Sequence, residues 1–207
     1  MDVTRIQLKL YAQPGYEVPM DPAIRVFHRW IKERVLPEQL IDVADYSHVH
    51  HGPSLVLVGH ESDYYWDQGE GRLGLLYFKK REAPPPAERL KDAFRHAFSV
   101  AQRLESEPEL AGNAPRFSAR ELLFRVVDRL NAPNTDEGFA PIQGELTSFV
   151  NELYGTKVDV SRFGSASEPL SVRIVAEQAP DLGTLLGRLG GSLFAAPKKK
   201  ERVLKIA

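Results

Sequence analysis

Four of the six histidines fall within thirteen residues: His48, His50, His51 and His60. Neutral imidazole is the commonest protein ligand for divalent transition metals, and side chains at i and i+2 of a strand point to the same side. His48 and His50 on one strand would therefore grip a single divalent metal ion, with His51 or a distant carboxylate completing the set. An open coordination position at such an ion would take water or substrate, the arrangement of a metal-dependent enzyme. A turn at about 50–53, read from His51-Gly52-Pro53, sets Val49 opposite Ser54 and residue 43 opposite residue 60. His60 then lies on the order of 17 Å from His48, outside any single-ion site. It becomes a diagonal neighbour of Asp45, so Asp45 and His60 form a secondary pair in which a carboxylate orients an imidazole. A slip of one residue would reverse these faces.

The same cluster supports two other readings. An exposed turn rich in histidine needs no chemistry at all. Histidines grouped at one turn also become cationic together below about pH 6.5, which suits a pH-responsive interaction surface. Just downstream, Tyr64, Tyr65, Trp66 and Asp67 set three aromatic side chains beside a carboxylate. Such a group is either core or a ligand or partner surface, where Tyr and Trp are enriched. Of the remaining histidines, His28 follows Ile24 by one helical turn and reads as buried, whereas His96 falls off the apolar stripe of its segment and reads as solvated.

Several chemistries fail on residue type or spacing. There are no cysteines, which removes disulfides, thiolate metal sites and a thiol nucleophile. Gly183, Gly187, Gly190 and Gly191 lack the spacing and the preceding strand of a phosphate-binding loop. His60-Glu61 is followed by Tyr64 where a zinc protease helix needs histidine. His48-x-His50 is similar to the opening of the cupin metal motif, but no glutamate follows at the spacing cupins use, and Glu61 is too far along. No residue stands out as the nucleophile of a triad.

The elements that must position these residues are legible from periodicity. Ile6, Leu8 and Leu10 alternate with polar neighbours, which predicts a strand over 4–12. Asp21-Pro22 opens a helix whose stripe is Ile24, Phe27, Ile31 and Val35, ended by Pro37. Three strands are expected at about 41–49, 54–65 and 72–80, the middle one covered on both faces because 55–58 is apolar throughout. In element order this first half is similar to the modules of glyoxalase-type metalloenzymes, a likeness of shape without matching ligand positions in the second half. After Pro84-Pro85-Pro86 comes a helix over about 87–105, and 105–116 reads as a linker. A second series follows: strand 119–128, helix 139–154, strands 156–163 and 169–177, and a short helix at 180–190. Lys198-Lys199-Lys200 reads as a solvated tail, with a last short strand at 202–206.

The fold class is therefore α+β: mainly antiparallel sheet with packed helices, in two halves of like order, 1–108 and 114–207. That order suits a diverged duplication packed as one unit, although no residue identities between the halves support one. Lys plus Arg is 27 against 28 for Asp plus Glu, a balance that argues against nucleic acid. No apolar run approaches a membrane span, and the N-terminus lacks a secretory pattern, so the cytoplasm is the expected location. The leading functional expectation is a non-catalytic binding or assembly module, taking a protein partner or forming a homo-oligomer. The metal-dependent enzyme stands second and the pH-responsive protein third.

Overall fold

The computed structural model describes residues 3–49, 53–81 and 83–194. The expected tail lysines 198–200 and the expected strand 202–206 lie outside the described residues. The α+β class is as read: eight strands form one antiparallel sheet in the order β2-β3-β4-β5-β1-β6-β8-β7. The strands are β1 (Ile6–Ala12), β2 (Leu40–Asp45), β3 (Pro53–Gly59), β4 (Ser62–Asp67), β5 (Gly74–Lys79), β6 (Phe117–Val126), β7 (Asp159–Phe163) and β8 (Leu170–Val175). The helices are α1 (Met20–Glu33), α2 (Arg89–Glu105), α3 (Asp136–Tyr154) and α4 (Leu182–Arg188).

Alternation along the strands decides which side the helices cover. Ile6, Leu8 and Leu10 of β1, Leu55 and Leu57 of β3, Tyr64 and Trp66 of β4, and Leu75 and Tyr77 of β5 all join one buried cluster. On the helix side that cluster takes Phe27 and Trp30 of α1, Phe94 and Phe98 of α2, Leu146 and Val150 of α3, and Leu185 of α4. Thr135 caps α3 by accepting from Gly138 N–H at 3.1 Å. Gly138 has to be glycine, since a Cβ there would stand 2.1 Å from the Pro133 carbonyl oxygen. α1 ends where Arg34 turns left-handed (φ 51°), before the proline at 37 is reached.

The first half holds four strands after α1–β1, one more than the sequence predicts. The stretch read as a single strand over 54–65 folds back on itself at His60-Glu61, with Val58 opposite Asp63. Gly59 makes this possible, because a Cβ would come within 2.5 Å of the Ser62 carbonyl oxygen and 2.6 Å of Glu38 Oε2. Continuous apolar and aromatic character on both sides of the turn hides it from a periodicity reading. The extra strand also departs from the strand count of the glyoxalase-type module.

β1 and β6, the first strands of the two halves, pair with each other, so the sheet runs through both. In each half a helix carries the chain over the sheet, and the last strand returns beside the first: β5 beside β1, and β8 beside β6. Residues 105–116 are packed rather than free. Leu110 is buried, and Glu107 has a fully buried side chain that accepts from Trp30 Nε1 at 2.9 Å and Arg103 Nε at 2.6 Å and also pairs with Arg29.

The face of the sheet away from the helices carries a polar layer. Lys9, at its centre and fully buried, donates to Asp67 Oδ2 at 2.5 Å, to the Gly69 carbonyl at 2.8 Å and to Glu70 Oε2 at 3.3 Å. Glu70 also pairs with Arg125, whose Nε reaches Ser171 Oγ at 3.1 Å. All three ammonium protons of Lys9 thus have acceptors, which is what a buried lysine needs to stay charged. No helix among the described residues is long and apolar enough to cross a membrane.

Candidate functional site

The histidine hairpin comes together differently from its expectation. β2 stops at Asp45, and Tyr46–Val49 form a turn in which every side chain is exposed. His50 and His51 lie outside the described residues, so the three-histidine metal site has only His48 within them. Among the described residues no group of three or more His, Asp or Glu could hold a metal ion. Asp45 instead accepts from Ser47 N–H at 2.8 Å, and this bond, aided by the neighbouring His48, holds its carboxyl below the usual range.

The secondary pair is not formed. Asp45 stands opposite Leu55, while the His60 amide bonds the Gln39 carbonyl at the other end of β2. The physical reason is register: the loop between β2 and β3 is longer than a turn at 50–53 requires, so the pairing is displaced along the strand. His28 is exposed, not buried, because the buried face of α1 runs through Ala23, Val26, Phe27 and Trp30. His96 is half-buried rather than solvated: it stacks on Tyr77 at 5.4 Å and lies 3.3 Å from Asp92.

The aromatic run divides by strand parity. Tyr64 and Trp66 are fully buried under the helices and offer nothing to a partner. Tyr64 donates to the buried Glu38 at 2.7 Å. Tyr65 and Asp67 face the other side, where Tyr65 donates to Asp63 at 3.1 Å and Asp67 holds Lys9. Of the four residues expected to form a ligand or partner surface, Tyr64 and Trp66 are thus buried, and Tyr65 and Asp67 keep part of their surface accessible.

A different region is open. Where β1 ends, the chain leaves the sheet through Gln13–Val18, and the start of β3, the β4–β5 connection and the start of β6 surround it. They leave a groove of about 1220 Å³. Its apolar lining includes Tyr11, Tyr16, Val18, Met20, Leu73 and Phe117. Its polar lining consists mainly of donors: Gln13, Gln68, Arg72 and Arg116, with Glu17 as the carboxylate. Ser47, from the turn after β2, also lines it.

The groove is built on fixed aromatics. Tyr16 and Phe117 pack on either side of Trp66, with ring centroids 5.7 and 5.6 Å away. Burial pushes the Tyr16 hydroxyl up to about 12, so it stays a neutral donor, and it reaches the Asn113 carbonyl at 3.3 Å. Burial, and then Glu70, raise Tyr11 as well, with Arg72 opposing them. The Arg72 guanidinium lies 3.6 Å above the Tyr11 ring and spends one N–H on Glu121 at 2.8 Å, while remaining half exposed. Arg116 is exposed, and no described residue pairs with its guanidinium.

Trp66 Nε1 is the one buried side-chain nitrogen or oxygen among the described residues without a hydrogen-bond partner. The chain's other tryptophan, Trp30, has its N–H bonded to Glu107. Trp66→Phe is therefore expected to cost about 0.5–1.5 kcal/mol less than Trp30→Phe, since only the second gives up a hydrogen bond, while Glu107 keeps Arg103 and Arg29. Urea unfolding of the two variants checks this, and equal costs would mean that the Trp66 N–H is satisfied.

Arg72 and Arg116 were missed because each sits in a turn or strand start that reads only as punctuation. The Pro14-Gly15 break was visible, but not that four chain segments converge there. The chain matches no protein-family model and no curated protein.

Proposed function

We propose that the protein is a non-catalytic binding module that holds an extended segment of a protein partner in the groove at the end of β1. The observation that carries this reading is the lining: fixed aromatic walls with convergent donors and an unpaired arginine, Arg116, at the rim. At about 1220 Å³ the groove exceeds the roughly 300–1,000 Å³ of ordinary small-molecule sites. The Arg116 guanidinium and the remaining N–H groups of Arg72, Gln13 and Gln68 suit peptide carbonyls and an acidic side chain, and Tyr and Arg are the residues enriched where partners bind tightly.

The test is selection of random twelve-residue peptides displayed on phage against the immobilised full chain, followed by anisotropy measurements on the enriched sequences. Peptides carrying Asp or Glu are expected, with affinity falling about 10-fold or more in Arg116→Glu, the size of one charge-assisted hydrogen bond. Peptides that bind wild type and Arg116→Glu equally would sink the proposal. A chain that dimerises on concentration, and returns to monomer in Arg116→Glu, would make a second copy the occupant.

A further inference from the structure

Among the described residues the sheet ends in two edge strands, and they differ. β7 carries Asp159 and Arg162, one charge of each sign, and its exposed positions, Asp159 and Ser161, are polar. β2 carries Asp42 and Asp45, both exposed, with no basic residue. Five large hydrophobic residues are exposed among the described ones, and three belong to this edge and its turn: Ile41 at 53%, Tyr46 at 43% and Val49 at 42%. Natural edges are usually blunted by lysine, proline or a bulge. β2 has a bulge at Ile41, since Leu40 pairs with Gly59 and Asp42 with Val58, but it has neither lysine nor proline.

The pairing with β3 fixes which backbone groups of β2 point outward. Tyr46 N–H donates to the Ser54 carbonyl at 3.0 Å, so antiparallel alternation makes Ala44–Val56 and Asp42–Val58 the bonded pairs. Val43 and Asp45 then turn their N–H and C=O groups away from β3. The Val43 N–H is held at 2.8 Å by Oδ1 of its neighbour Asp42, a local acceptor where a further strand would offer a carbonyl.

Charge sets the edge apart as well. Residues 35–71, which span β2, β3 and β4, contain seven acids and no lysine or arginine. Five of the acids are engaged from within the fold. Glu38 accepts from Tyr64, Glu61 and Asp63 pair with Lys79 and Lys80, and Asp67 and Glu70 hold Lys9. Asp42 and Asp45 are left, and no lysine or arginine among the described residues pairs with either. Asp42, opposite Val58, lies on the face away from the helices, and Asp45, opposite Leu55, lies on the helix side.

We propose that β2 is a docking edge for an extended, basic segment of a protein partner, which pairs with it as a further strand. Main-chain bonds to Val43 and Asp45 supply the attachment, the mode by which peptides extend exposed sheet edges. One base opposite Asp42 and a second opposite Asp45, three positions apart and on opposite faces, supply the selection. An apolar residue of the incoming strand covers Ile41. A second copy of β2 is disfavoured, because it would set aspartate against aspartate. The proposal is independent of what occupies the groove.

The test uses the full chain and two capped ten-residue peptides of alternating valine and threonine. One carries two lysines three positions apart, and the other carries glutamates in their place. At saturation the lysine peptide should slow amide exchange at Val43 and Asp45 by about 10-fold or more and leave β7 unchanged. It should also bind about 10-fold tighter than the glutamate peptide, the effect of two cross-strand charge pairs. Asp42→Lys combined with Asp45→Lys, both at exposed positions, should reverse that preference. Arg116→Glu should leave it as it is, which separates this edge from the groove. Equal binding of the two peptides would overturn the proposal, as would β2 amides that are already slow in the free chain and unmoved by peptide. A concentration-dependent dimer with β2 protected in it would make a second copy the occupant and overturn it too.

Discussion

Glu107→Ala should lower the unfolding free energy by about 3–5 kcal/mol, the usual cost of removing one partner from a buried ionic network. The side chain has no exposure and receives donors from three directions: Arg29 and Trp30 on α1, and Arg103 on α2. Not all of these lose equally. Arg29 and Arg103 are partly exposed and can rehydrate, and Arg29 keeps Glu109 at 3.0 Å and Glu33 at 3.3 Å. The Trp30 N–H cannot reach water, and the space left by the carboxylate adds a cavity term. Glu107→Gln should fall between the two, because an amide oxygen still accepts from Trp30 while the charge is gone. By comparison, the Arg29–Glu33 pair on the helix surface is worth only about 0.3–0.5 kcal/mol. Urea unfolding followed by tryptophan fluorescence measures all three. A loss below about 1 kcal/mol for Glu107→Ala would show that α1 and α2 are held by apolar packing alone.

Lys9→Ala is expected to cost about 3–5 kcal/mol through the opposite face of the sheet. The Lys9 side chain is fully buried, and its loss leaves Asp67, only 13% exposed, without a counter-charge. Glu70 suffers less, since Arg125 still pairs with it. Lys9→Met alone should remain costly for the same reason, although it keeps the packing. Lys9→Met combined with Asp67→Asn should recover a large part of the loss, because a neutral pair of similar volume needs no buried compensation. A double-mutant cycle in urea gives the coupling, and strictly additive costs would rule out Lys9 and Asp67 as an energetic unit.

Where sequence reading succeeds and fails here follows from what each signal measures. Ile6, Leu8 and Leu10 alternate because one face of β1 is covered by helices, so the strand is plain in the sequence. Ile24, Phe27 and Ile31 mark α1 for the same reason. The antiparallel α+β class follows from these periods. The turn at His60-Glu61 was invisible because the residues on either side, Leu55–Val58 and Tyr64–Trp66, are as apolar as a single buried strand would be. Its one local mark is Gly59, required by contact with Glu38 and Ser62. The offset between Asp45 and His60 is a matter of loop length, which composition does not determine. The groove lay beyond reach for a more general reason: Tyr16, Arg72 and Arg116 are neighbours only once β1, β5 and β6 lie side by side.

That same adjacency bears on how the chain reaches its fold. β1 precedes the other described strands in the chain, yet it is flanked on both sides by strands made much later, with Ile6 opposite Lys79 and Val126. During synthesis its apolar and ionic faces wait for β5, then for β6, while β3, β4 and β5 can already zip together as hairpins. Contacts so distant in sequence make for slow folding, because loop closure precedes any gain from pairing. The earliest of the described strands is thus sealed only once β6 is made, well after the Lys9 acceptors at Asp67, Gly69 and Glu70 have joined the chain.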